Sequence, residues 1–169
     1  MITRNKKIAY VSGPYSNGGT QPQDREKNIK IANEHAIKLW NMGYAVICPH
    51  SNTAWYDDNK KVKIGFKEFI EGDLAFLNYV DCIFMLPNWD LSKGAKIEHA
   101  HATNIDLPIF YTLAKIKKFL KSTKRCNCCG LFRLKYATFG DLVYCNTCND
   151  SIERYSAYQN KSFLLVPRQ

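Results

Sequence analysis

The stretch that most constrains this chain runs from Asp81 to His101, DCIFMLPNWDLSKGAKIEHAH. An apolar run, Cys82-Ile83-Phe84-Met85-Leu86, breaks at Pro87-Asn88 and restarts as a helix of small residues. Short apolar runs bounded by turn residues read as buried strands. The Ser92-Lys93-Gly94-Ala95 turn opens the helix, with Ser92 where an N-cap hydroxyl belongs. A strand that runs through a loop into a helix N-terminus is where open α/β sheets bind ligands. The unpaired amides of such a terminus favour anions, phosphate above all. Glu98 follows about one turn into the helix, so a phosphate-compatible end and a carboxylate share one wall. A capped helix carrying a solvated glutamate is the plainer reading of the same residues.

The rest of the sequence repeats the strand-then-helix unit. Lys7–Ser12 reads as a first strand, ended by the turn residues Gly13-Pro14-Tyr15-Ser16-Asn17-Gly18-Gly19. That turn can line a phosphate, although its spacing is neither a Walker loop nor a dinucleotide fingerprint. From Asp24 to Met42, Ile29, Ala32, Ala36, Leu39 and Trp40 recur at helical spacing, and Gly43 stops the helix. Tyr44–Cys48 is a second buried strand, closed by Pro49-His50-Ser51-Asn52. A polar loop over Asn52–Ile64 leads to a helix from about Gly65 to Asn78. Leu107–Tyr111 supplies a fourth strand, and Lys115–Lys121 a short basic helix. This alternation predicts an α/β fold, a Rossmann-like (flavodoxin-like) parallel sheet with helices on both faces.

Two features stand apart from a bland core. On the third helix Phe66, Ile70, Asp73 and Leu77 share a face, so Asp73 interrupts an apolar stripe. A carboxylate there is costly unless it is paired, bonded to a backbone amide or functional. Metal chemistry beside Glu98 fails on geometry, because His99 and His101 lie about 200° apart on a helix. Glu98 and His101 form one Glu-x-x-His pair, but no second such motif is present. No Ser-His-Asp order or nucleophile elbow is visible.

Charge and cysteine usage divide the chain. Residues 1–112 carry 13 Lys/Arg against 12 Asp/Glu, a net of +1, and residues 113–169 carry 11 against 3, a net of +8. The basic part is suited to nucleic acid or another acidic partner. Five of the seven cysteines fall between 126 and 148. Cys126/Cys129 and Cys145/Cys148 make two CxxC knuckles fifteen residues apart, the ligand set of a tetrahedral structural zinc in a small ribbon. Cys128 competes with Cys126 as first ligand, and Leu131–Val143 reads as a hairpin between the knuckles. The predicted division is therefore 1–121 for the α/β domain and 122–169 for a basic zinc ribbon, short helix and tail. The sequence starts without a charged-then-apolar leader and has no apolar run of the ~18 residues that span a bilayer. The expectation is a soluble cytoplasmic protein, without membrane partner.

Residues 7–111 resemble the nucleoside 2-deoxyribosyltransferase-like superfamily. Within it they look closest to the 2′-deoxynucleoside 5′-phosphate N-hydrolases and to small uncharacterised phage and bacterial proteins. The resemblance rests on four ordered blocks: IAYVSGPYSNGG, PHSNT, FIEGDLAFLNYVD and SKGAKIEHAHATNIDLPIF. It implies that Glu98 attacks or stabilises C1′ of the sugar, that Asp73 assists departure of the base, and that Tyr10 positions the glutamate. Ser92 stands where the nucleotide hydrolases have a serine on the 5′-phosphate and the transferases an aspartate. The hydrolases also hold phosphate with a serine and an arginine after the first strand. Here Pro14 and Ser16 stand there, leaving Ser16, Asn17 or Arg25 to substitute.

The implied function is hydrolysis of the N-glycosidic bond of a (deoxy)nucleoside 5′-monophosphate, with zinc structural and no organic cofactor. Gly13, Gly94, Ser16 and Asn17 are further candidates for binding substrate, and His50, Asn52 and Trp89 for the wall facing the base. Base exchange by a deoxyribosyltransferase and non-catalytic nucleotide binding are the alternatives. Family members usually form homodimers, which is the expectation here.

Overall fold

The computed structural model of the chain describes residues 6–16, 22–122, 124–126, 128, 132–133, 136–139, 142–146 and 148–150. They divide into two compact units, 1–120 and 121–169.

The first unit is built on four parallel strands, β1 (Ile8–Ser12), β2 (Ala45–Ile47), β3 (Cys82–Met85) and β4 (Ile109–Phe110), in the order β2-β1-β3-β4. Helix α1 (Pro22–Asn41) joins β1 to β2, and α4 (Lys93–Asn104) joins β3 to β4. Between β2 and β3 lie α2 (Pro49–Asn52), a 3-10 turn at Tyr56–Asp58 and α3 (Phe66–Leu77); α5 (Leu113–Ser122) follows β4.

Strand alternation sends side chains to opposite faces, and each face meets its own helices. Ala9, Val11, Cys82, Phe84 and Leu86 pack against Ala32, Ala36 and Leu39 of α1 and Ile116 and Phe119 of α5. Tyr10, Ile83 and Met85 pack against Leu77 of α3 and Ala95 and Ala102 of α4. Burial on both sides explains why β1 and β3 are near-continuous apolar runs. The helices of both faces are thus where the periodicity puts them, within two residues at their ends. Gly43, at φ 104°, supplies the left-handed residue that closes α1.

One expected loop is different: Pro49–Asn52 forms the one-turn helix α2, with Pro49 at its start, where a missing N–H costs nothing.

A buried carboxylate at the N-terminal edge of the sheet has a purely structural explanation. Asp81 is wholly buried, and its Oδ2 accepts from the Ile8 amide at 2.7 Å. It ties the start of β1 to the start of β3, at the opposite end from the residues discussed below.

In the second unit β5 (Lys124–Arg125) pairs antiparallel with β6 (Phe132–Arg133), and β7 (Tyr136–Phe139) with β8 (Leu142–Cys145). The antiparallel β7–β8 ladder lies largely within the expected hairpin segment, and β5–β6 is a second ladder among the described residues. Cys126 and Tyr144 are buried together, with Leu142 and Cys148 packed on them, whereas Cys128 is exposed. Cys129 and the segment 151–169 lie outside the described residues. Among the described residues no group of three or more His, Cys, Asp or Glu is placed to hold a metal, and no helix is long and apolar enough to cross a membrane.

Candidate active site

Strand order reverses at β1: the chain steps to β2 on one side, then crosses to β3 on the other. Loops leaving the C-terminal ends of β1 and β3 therefore diverge and open a crevice between them. A cleft of about 430 Å³ lies there, walled by the β1 loop, α2, one face of α3 and the first turns of α4.

Glu98 lies on its floor, 6% exposed. Tyr10, fully buried on β1, donates its hydroxyl to Glu98 Oε1 at 2.6 Å. Ser12, two residues further along the same strand face, donates its hydroxyl to Glu98 Oε2. Both carboxylate oxygens are thereby engaged by the strand beneath. Burial pushes the Glu98 carboxyl up from its ordinary value, while the two hydroxyl donors pull it back.

Asp73 faces the cleft from α3, as the interrupted stripe predicts, among Phe66, Phe69 and Ile70. Its pKa is raised from 3.8 to about 7, first by desolvation and then by the charge of Glu98, with the nearby Tyr10 hydroxyl opposing. Tyr10 is itself pushed well up by burial and by both carboxylates, which keeps it a neutral donor. Two hydroxyl donors favour the charged form of Glu98, and a charge on Glu98 raises the Asp73 carboxyl further. Two interacting carboxyls in unlike surroundings are a setting for acid-and-base chemistry.

Ser92 caps α4, its Oγ accepting from the Ala95 amide at 3.3 Å. It lines the cleft with Gly94 and with Lys93, the sole Lys or Arg among the described lining residues. Gly13 and Ser16 line the opposite side. A Cβ on Gly13 would come within 2.6 Å of the Leu86 side chain, so the loop can pass β3 this closely only as glycine. His50 lines the cleft from α2, buried, with Nε2 donating to the Pro14 carbonyl at 2.9 Å. Desolvation pushes its pKa down, so the ring is neutral and pins the loop after β1.

Residues 7–111 match the family model described as a domain of unknown function, DUF4406. The chain belongs to the DUF4406 family. The matched stretch holds every residue of the cleft and stops before the five clustered cysteines between 126 and 148. No curated protein matches the chain.

Two of the expected wall residues sit elsewhere in this DUF4406 domain. The α2 turn leaves Asn52 exposed outside the cleft, and Thr53 lines it instead. Trp89 stacks on His99 with ring centroids 4.3 Å apart, and His99 Nε2 is 2.6 Å from the Tyr111 hydroxyl. That aromatic group holds Trp89 away from the cleft. His101 pairs instead with Asn78, so the two histidines do face apart. Asn17 lies outside the described residues. Arg25 pairs with Asp58 at 2.7 Å and lies over the Tyr15 and Trp55 rings, which leaves Lys93 as the cation in the cleft.

The geometry also brings in two residues that sequence reasoning missed, Ser12 and Lys93. The signal for Ser12 was its spacing of two from Tyr10 on a strand, which fixes a common face.

The raised Asp73 pKa carries a stability cost. The folded value lies above the unfolded one, so the contribution of Asp73 to stability is intact below about pH 4 and is lost as pH rises through about 7. Asp73→Asn, which mimics the neutral acid, is therefore expected to raise the melting temperature over the parent chain more at about pH 8 than at about pH 4. Thermal unfolding across that range checks this; an equal gain at both ends would mean that Asp73 ionises normally.

Proposed function

We propose that this chain hydrolyses the N-glycosidic bond of a (deoxy)nucleoside 5′-monophosphate, releasing free base and sugar phosphate. One observation carries the reading: a buried glutamate clamped by two hydroxyls shares one cleft with an aspartate whose pKa is raised to about 7. The resemblance of residues 7–111 to the nucleoside 2-deoxyribosyltransferase-like superfamily supports it.

In this mechanism the C1′–N bond breaks and positive charge develops at C1′. Glu98 stabilises that charge or traps it as a glycosyl ester. Asp73 gives its proton to the departing base, then takes one from the water that attacks C1′. The first turn of α4, with Ser92 and Lys93, faces the 5′-phosphate, where amides, a hydroxyl and an ammonium are all favourable to an anion. The aromatic and aliphatic wall of Phe66, Phe69 and Ile70 suits the flat faces of a sugar and base. A homodimer belongs to the same proposal.

Hydrolysis in ¹⁸O-labelled water tests the chemistry. One labelled oxygen at C1′ of the released sugar phosphate is the expected result. Exchange onto an added free base without label would instead identify a transferase.

The basic C-terminal unit is proposed as a zinc ribbon with Cys126, Cys129, Cys145 and Cys148 as ligands; an acidic or nucleic-acid partner is proposed for its charge. The burial of Cys126 beside Cys148, against an exposed Cys128, favours Cys126 as first ligand. Four thiolates bind zinc strongly enough to supply most of such a unit's folding energy. The expected result is about one zinc per chain by native mass spectrometry. Chelation should unfold the residues from about 124 to 150 while base release persists. Reduced protein that holds no metal would remove the ribbon.

A further inference from the structure

We infer that Ser12 is a positioning residue for the proposed reaction, one that decides which of the cleft's two carboxyls is the anion. The inference rests on the N-glycosidic reading above.

The hydroxyl donors are shared unequally between the two carboxyls. Tyr10 acts on both carboxyls: its hydroxyl donates to Glu98 Oε1, and its nearness also lowers the Asp73 pKa. Ser12, last residue of β1 and 1% exposed, donates to Glu98 Oε2 and to no other carboxylate. The other charged and titratable groups around Glu98 do not break the tie. From α2, His50 is held neutral by burial and is committed to Pro14. From α3 comes Asp73 itself, and Lys93 stands exposed at the mouth, over the Phe66 ring at 5.2 Å. Without the Ser12 hydroxyl, Glu98, the more deeply buried carboxyl, would have Tyr10 alone to offset its burial, and the half-buried Asp73 would compete with it for the charge.

The reaction requires a preference. An anion must stand at C1′ and an acid at the base; the reversed arrangement has neither a stabiliser nor a proton in the right place. A hydroxyl donor favours the charged form of the group that accepts it. Ser12 therefore holds Glu98 as the anion, and the Glu98 charge in turn holds the proton on Asp73. Ser12 touches no reacting atom; it acts through Glu98 alone.

The test pairs a measurement that needs no activity with one that does. Carboxyl ¹³C signals of Glu98 and Asp73 are titrated in the parent chain, Ser12→Ala and Ser12→Cys. Base release from deoxynucleoside 5′-monophosphates is measured over the same pH range. In Ser12→Ala the Glu98 midpoint should rise by about one pH unit and the Asp73 midpoint fall. Near neutral pH kcat should fall on the order of tenfold, with KM little changed. Ser12→Cys, a weaker donor of similar size, should fall between, and it serves if the alanine chain does not fold. Midpoints that stay in place, or a loss carried by KM, would overturn the assignment. Shifted midpoints in a chain that cleaves no nucleotide would keep the role of Ser12 in the pair and remove the N-glycosidic reading. Cleavage with unshifted midpoints would do the reverse.

Discussion

Glu98→Ala is expected to lower base release by on the order of three decades or more, with the fold intact. The carboxyl is almost wholly buried, engaged by two buried hydroxyls that need no rearrangement as charge appears at C1′. A preorganised charge in such a place is worth far more than the same charge in water. Folding survives because removing a buried carboxylate also removes its desolvation cost, although Tyr10 and Ser12 then lack an acceptor. Glu98→Gln is the companion variant, since it preserves shape and an acceptor while removing the charge. It should fail nearly as completely. A Glu98→Ala chain that retained more than about a tenth of the parent activity would take Glu98 out of the chemistry.

Ser92→Asp is expected to weaken use of nucleoside 5′-monophosphates by roughly two decades while changing use of the matching nucleosides only a few-fold. The substitution is informative because it leaves the helix well capped. Aspartate is as good an N-cap as serine and can accept from the same Ala95 amide. What changes is the charge facing the substrate. A carboxylate about 4 Å from a phosphate costs several kcal/mol at the dielectric of a protein cleft, partly offset by Lys93 beside it. Parallel kinetics on the two substrate classes give the answer. Equal loss on both would make Ser92 only a cap and place the phosphate elsewhere.

Much of this architecture was legible in the residues because burial on two faces writes itself into the sequence. Ile8–Ser12 and Cys82–Met85 are apolar runs because each strand of the parallel sheet has helices above and below. Asp73 stood out for the complementary reason, being charged where Phe66, Ile70 and Leu77 are not. Ser92 announced the start of α4 by the chemistry of its cap. Other features have a weaker signature or none. Ser12 reads as an ordinary strand-end serine until the partner of its hydroxyl is known, and that partner lies 86 residues away. The α2 turn is a single turn, too short for any periodicity, so Asn52 seemed to share a loop with His50 when the helix turns it outward. Trp89 has the composition of a base-stacking residue, yet His99 and Tyr111 claim its ring through contacts that only the fold creates. Lys93 has the exposed, solvated look of any surface lysine until the cleft is seen to open beside it.

The central claim is that the Glu98–Asp73 pair breaks a glycosidic bond, and the direct measurement is base release. The parent chain and Glu98→Ala are incubated with the common ribo- and deoxyribonucleoside 5′-monophosphates and the matching nucleosides, and free base is resolved chromatographically. The account predicts base released from at least one monophosphate by the parent chain, little from the matching nucleoside, and none above background with Glu98→Ala. A parent chain that binds these nucleotides without releasing base from any of them, or a Glu98→Ala chain that releases it equally well, would contradict it.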